Sequence, residues 1–121
     1  MEAKELRIGN YFQDYEGIVF NVHGISTGEG ENAVWYAHEF GFYLDEGEYR
    51  PVVLTEEWLR KLGFKELKDT DIDTWWKLGW IINKDADGKW FTVKGDKVIL
   101  DYVHELQNLY FAITKKELTI N

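Results

Sequence analysis

Near Asp101 the hydrophobic period of this chain changes from two residues to about 3.6, and nothing else in the sequence constrains the fold as strongly. Upstream, short apolar runs alternate or are cut by glycine. From Asp101 to Thr114 the letters D-Y-V-H-E-L-Q-N-L-Y-F-A-I-T form the longest helix-periodic run. At about 100° per residue, Tyr102, Val103, Leu106, Leu109, Tyr110 and Ile113 share an arc of roughly 120°, wide enough to lie on a sheet. Asp101 is placed to cap the first turn. His104, Asn108 and Phe111 fall at i, i+4 and i+7 beside the main stripe. The helix is therefore expected to be covered on two sides, with Leu106 and Leu109 in the core and Gln107 near its edge.

The rest reads mainly as strands. Leu6 to Phe12 is a short apolar segment with a turn at Gly9-Asn10, and Gly17 to Ile25 alternates with Ile18, Phe20 and Val22 inward. Trp35 to Leu44 gives one or two further strands, broken at Gly41. Asp45 to Glu48 is an acidic turn. Strands at this spacing predict a bent antiparallel sheet, for which a partly closed SH3-like barrel is one form. Thr55 then caps a two-turn helix with Glu56 and Glu57 in its first turn and Arg60 and Lys61 in its last. Gly63 stops it, and Phe64 folds back on Leu59. Lys65 to Thr74, with Asp69, Asp71 and Asp73 alternating, reads as a solvated connector. Trp75 to Ile82, Trp90 to Val93 and Lys97 to Leu100 make a three-stranded meander ahead of the long helix. Thr114 to Glu117 has the letters of a capping box for one further turn, with Leu118 and Ile120 sealing the core. The fold class is α+β in a single domain, 1–121, with a β-rich half (1–54) and a helix, meander and C-terminal helix (55–121).

One hundred and twenty-one residues with 45% hydrophobic and 17% aromatic content can bury a core, so an ordered domain is expected. The absence of cysteine rules out disulfides, thiolate zinc sites and a cysteine nucleophile. No signal-peptide pattern or membrane-length apolar run occurs, so the chain is expected in the cytoplasm. The net charge of −8 is uneven: residues 1–50 hold ten acids and three bases, residues 51–121 twelve acids and eleven bases. The first half repels a phosphate backbone and suits a basic protein partner.

Motifs that carry chemistry are weak. Gly28-Glu29-Gly30-Glu31-Asn32-Ala33 has the spacing of a dinucleotide turn but places two carboxylates where pyrophosphate would sit, ahead of strand-forming letters. Asn83 to Gly88 imitates the start of a calcium loop, yet the twelfth place is Lys94 and the flanks are strands. Asp87-Gly88 as a hairpin turn explains the same letters. His104-Glu105 and His38-Glu39 each lack the second histidine of a zinc-binding helix, since the positions required hold Asn108 and Phe42. No metal, cofactor or catalytic residue is assigned, and the balance is against an enzyme.

Three segments carry a resemblance. Leu6-Arg7-Ile8-Gly9-Asn10-Tyr11, Pro51-Val52-Val53-Leu54-Thr55-Glu56-Glu57-Trp58-Leu59 with Gly63-Phe64, and Val103 to Ala112 (V-H-E-L-Q-N-L-Y-F-A) occur in that order. Together they resemble a group of small proteins of Bacteroidota phages, prophages and mobile elements. Those proteins carry Gln more often where Glu105 stands and Gly where Lys115 stands. The resemblance spans both ends of the chain, leaves the tryptophan-rich middle uncovered, and implies a phage-accessory setting in a bacterial cytoplasm.

Two readings stay open. In the first the chain acts by binding a protein, basic in character, through Glu29, Glu31, Asp45, Glu46 and Glu48 around exposed Tyr43 and Tyr49. In the second, His104, Asn108 and Phe111 line a pocket for a small ligand or nucleotide.

Overall fold

Tight reversals, several hidden in unremarkable letters, organise this fold. The computed structural model describes residues 7–22, 24–26, 33–37, 42–45, 49–67 and 73–120, with 24–26, 33–37 and 42–45 described at the level of the backbone. Strand β1 (Tyr11–Asp14) pairs antiparallel with β2 (Val19–Asn21). The Asp14 carboxylate closes the turn between them by accepting the N–H groups of Glu16 and Ile18 at 2.9 and 3.0 Å. A second small sheet follows from β3 (Gly24–Ser26), β4 (Ala33–Ala37) and β5 (Phe42–Asp45), in the order β3-β4-β5. Strand β6 (Tyr49–Pro51) then returns to the free side of β1. The single bent sheet expected from the first half is thus two three-stranded sheets. Gly17 to Ile25 does not run as one strand. Val22 is buried and donates its N–H to the Asn10 carbonyl, while Ile18 is exposed.

Helix α1 (Glu56–Lys61) follows its local grammar: Thr55 Oγ1 accepts the Trp58 N–H at 3.3 Å, and Gly63 takes a left-handed φ of 91°. The Phe64 N–H then donates to the Leu59 carbonyl. A lysine from farther along the chain completes the stop. Lys77 Nζ donates to the Leu62 carbonyl at 2.8 Å, and burial holds its ammonium below the usual lysine pKa.

The expected three-stranded meander has five strands. Lys65 to Leu67, read as part of a connector, is β7 (Lys65–Leu67), and it pairs with β8 (Thr74–Lys77). Trp75 to Ile82, read as one strand, is β8, a turn at Leu78-Gly79, and β9 (Trp80–Lys84). Both turn residues have positive φ, 46° and 87°, the mirror-image geometry that suits the twist of a two-residue hairpin. Leucine occupies a position where asparagine or glycine is usual, so no turn letter announces it. Strands β10 (Trp90–Lys94) and β11 (Asp96–Ile99) complete the order β11-β10-β9-β8-β7. The β9–β10 turn is the hairpin expected at Asp87-Gly88. Asp85 accepts the Asp87 and Lys89 N–H groups at 3.0 and 2.9 Å, and Gly88 sits at a φ of 79°. The calcium-like letters therefore build the turn itself.

Helix α2 (Val103–Thr114) packs on the inner face of this sheet. Trp75, Ile82, Trp90, Leu100, Val103, Leu106 and Tyr110 share one core with Leu59, Leu62 and Leu118. Its buried arc is rotated by roughly 80° from the expected stripe. Gln107 and His104 are buried, Leu109 is half-buried and Ile113 is exposed. Tyr102, not Asp101, is the N-cap residue, and Glu105 Oε1 reaches back to accept both the Asp101 and Tyr102 N–H groups at 3.0 Å. Asp101 is committed elsewhere: its carbonyl accepts the Leu54 N–H and its carboxylate meets Lys89 at 3.2 Å. No further turn follows Thr114. Lys115 ends the helix at a φ of 63°, Leu118 is buried as expected, and Ile120 is exposed.

Candidate functional site

The residues singled out on α2 are joined mainly to the chain's own N-terminal segment. Asn108 Oδ1 accepts from Arg7 Nε and from Asn10 Nδ2, each at 2.9 Å. The Arg7 guanidinium lies 4.2 Å from the centre of the Phe111 ring and meets Glu117 at 2.9 Å. Gln107 is fully buried: its Oε1 accepts the Tyr11 N–H at 2.9 Å, and its Nε2 donates to the carbonyls of Gly9 and Leu118 at 3.1 and 2.9 Å. The expectation that Gln107 lies near the edge is corrected, because these partners need its amide inside. The segment at Arg7 to Tyr11 and the first half of α2 are therefore bound to each other.

His104 and Asn108 do line one concavity. Tyr102, His104, Glu105 and Asn108 bound an open depression of about 470 Å³, with the Tyr102 and His104 rings stacked at 5.8 Å. Phe111 is not part of it. Glu105 Oε1 serves the helix start and Asn108 Oδ1 serves Arg7 and Asn10, so both oxygens are already engaged. A larger cleft of about 520 Å³ lies between the start of α1 and the β9–β10 turn, where Glu56, Glu57 and Asp101 face Lys84 and Lys89 across an apolar floor. Its mixed charge selects no one ligand.

Of the acidic-surface residues, Glu29, Glu31, Glu46 and Glu48 lie outside the described residues. Tyr43 and Asp45 fall on β5. Tyr49, expected as an exposed anchor, is 2% exposed and packs edge-on against Phe12 at 5.8 Å. As the first residue of β6 it is drawn into the sheet with β1 and is closed to a partner.

The surface that the sequence reading missed is the outer face of the five-stranded sheet. Cross-strand pairing sets Leu67, Thr74, Asn83, Phe91 and Ile99 in one row. Lys65, Trp76 and Ile81 lie in the next, and continuing the same register brings in Val93 and Lys97. Six of these ten positions are apolar. Antiparallel sheets with one solvated face ordinarily alternate apolar-in and polar-out, and this one is apolar on both sides. The row of Trp76, Ile81 and Val93 is open, at 37%, 42% and 59% exposed, whereas in the other row Thr74 is buried and Asn83 and Phe91 are half-buried. At the hairpin tip, Leu78 is 77% exposed. Lys97 rests 4.6 Å over the Phe91 ring and is paired with Asp85 at 3.1 Å. The Lys97 ammonium and two backbone N–H groups hold the Asp85 carboxyl below the usual range, with the Lys89 N–H contributing most. The available signal was the apolar character of both alternating sets between Trp75 and Val93, which the misread hairpin concealed.

Among the described residues no helix is long and apolar enough to cross a membrane, and no group of three or more His, Asp or Glu side chains is placed to hold a metal ion. Comparison with protein-family models, curated proteins and solved structures found no match.

Proposed function

We propose that this chain is a small accessory protein of a phage or prophage that acts in the bacterial cytoplasm by binding another protein. The observation that carries the binding reading is the outer sheet face. Trp76, Ile81 and Val93 form an exposed apolar row across three strands, with exposed Leu78 at the neighbouring hairpin tip, and such surfaces on small domains mark protein contacts. A tryptophan near its centre is the residue type most enriched among binding anchors. The phage setting rests on the resemblance carried by the Arg7, Pro51 and Val103 segments. The acidic balance of residues 1–50 disfavours nucleic acid and suits a basic patch elsewhere on the partner.

A small ligand beside His104 is the second reading. The depression there falls within the usual range of ligand sites, about 300–1,000 Å³, but its Glu105 and Asn108 side chains are already engaged.

The test is retention of host or phage proteins on the wild-type protein and on Val93→Glu and His104→Ala, from infected and uninfected cells. A protein held by the wild type and by His104→Ala but lost from Val93→Glu, with unchanged thermal melts, supports the reading. Partners indifferent to Val93→Glu but lost with His104→Ala would transfer it to the depression.

A further inference from the structure

Resting on the protein-binding reading, we propose that the outer face receives one amphipathic helix, with acidic residues on both shoulders of its apolar stripe. Dimensions come first. Five strands at about 4.8 Å spacing place the edge strands about 19 Å apart, and four to five residues give a length of about 15 Å. The face is thus about 300 Å² in plan, small beside the surface each partner contributes to a standard interface, so it fits one short segment held weakly. A single helix, about 10–12 Å across with its side chains, covers the three central strands β8, β9 and β10. Those strands carry Trp76, Ile81, Phe91 and Val93.

Charge supplies the second argument. The edge strands flank that apolar centre with lysines, Lys65 on β7 opposite Trp76 and Lys97 on β11 opposite Val93. Their acidic neighbours Glu66 and Asp96 alternate to the other face, which among the described residues leaves Asp85, paired with Lys97, as the carboxylate at this rim. A helix seated between the edges brings its shoulders within reach of both ammonium groups. Carboxylates there are attracted, whereas lysines would repel. Lys65 has the larger share, because Lys97 is partly neutralised. This sign is opposite to that of the first fifty residues, so the two surfaces suit different segments. Single-stranded nucleic acid fits less well: of the two outer-face aromatic rings Phe91 lies under Lys97, which leaves Trp76 as the single ring open for stacking on this face.

The test sorts a displayed library of eighteen-residue peptides on the folded wild-type protein, with counter-selection on Val93→Glu. Support is a set of winners with apolar residues at i, i+3, i+4 and i+7, Asp or Glu on both flanks, and helical circular dichroism when bound. Lys65→Glu should weaken these peptides by up to about fivefold, the reach of one exposed charge pair, and should strengthen versions with lysine shoulders. Winners that need Val93 but alternate as strands, or carry basic shoulders, overturn the helix while leaving a protein-binding face. A wild-type dimer in sedimentation that Val93→Glu abolishes also overturns it in favour of a second copy. If no peptide separates the two proteins and labelled oligothymidine does, both readings fall.

Discussion

The Gln107 side chain stands in for a neighbouring strand at Tyr11: its Oε1 accepts the Tyr11 N–H at 2.9 Å, at the point where β1 begins. Its amide nitrogen meanwhile ties the Gly9 and Leu118 carbonyls. Truncation would strand the Tyr11 N–H and the Leu118 carbonyl in a dry core, each costing about 1–3 kcal/mol, whereas the Gly9 carbonyl keeps the Asn21 amide at 3.2 Å. Gln107→Ala is expected to lose about 2–5 kcal/mol on denaturant titration. Leu109→Ala, at a half-buried position, should lose about 1–2 kcal/mol.

Arg7 and Glu117 form an ion pair with side chains 29% and 40% exposed, so the pair itself is worth less than about 1 kcal/mol. Arg7 also donates to Asn108 and covers Phe111. Glu117→Gln should shift the thermal midpoint little, and Arg7→Ala should lower it clearly. Arg7→Lys should recover only part of the loss, because an ammonium cannot reproduce the planar fork.

The α+β class and the short helix were legible because Thr55, Gly63 and Phe64 are local signals that tertiary packing did not override. The hairpin at Leu78 was not, since a left-handed turn leaves no mark when a leucine fills it. Gln107 was hidden for another reason. Periodicity assigns polar letters outward, whereas a buried amide is decided by distant backbone groups at Gly9, Tyr11 and Leu118. The open sheet face depended on the same misread turn, because the outward row appears only once five strands are counted.

A left-handed conformation costs a residue with a side chain roughly 1–2 kcal/mol. At Leu78 asparagine tolerates it better, so Leu78→Asn should raise the thermal midpoint. Should Leu78 extend the docking face, the same variant will bind the selected peptides more weakly. A stability gain coupled to an affinity loss, measured on one preparation, is the expected pair of results.

Asp85 carries the pH dependence of the β9–β10 turn. Its folded pKa lies below its ordinary value because its carboxylate accepts backbone N–H groups and faces Lys97. The stabilisation is present above the unfolded pKa of about 3.9 and is lost as pH falls through the folded value. Amide shifts of Asp87 and Lys89 should therefore move in acid below about pH 4. In Asp85→Asn that acid transition should be missing.

The clasp between Arg7, Tyr11, Gln107 and Glu117 joins residues 96 to 110 positions apart. During synthesis at about 5–20 residues per second, the Arg7 segment would wait roughly 5–20 s before its partners are made. Until then β1 lacks the amide that receives its first N–H, and the half of the chain carrying most of the negative charge is exposed to the ribosome and to chaperones without its anchor. Closure is thus a last event in the birth of the molecule, and any chain cut short before Gln107 would lack the contact that fixes its beginning.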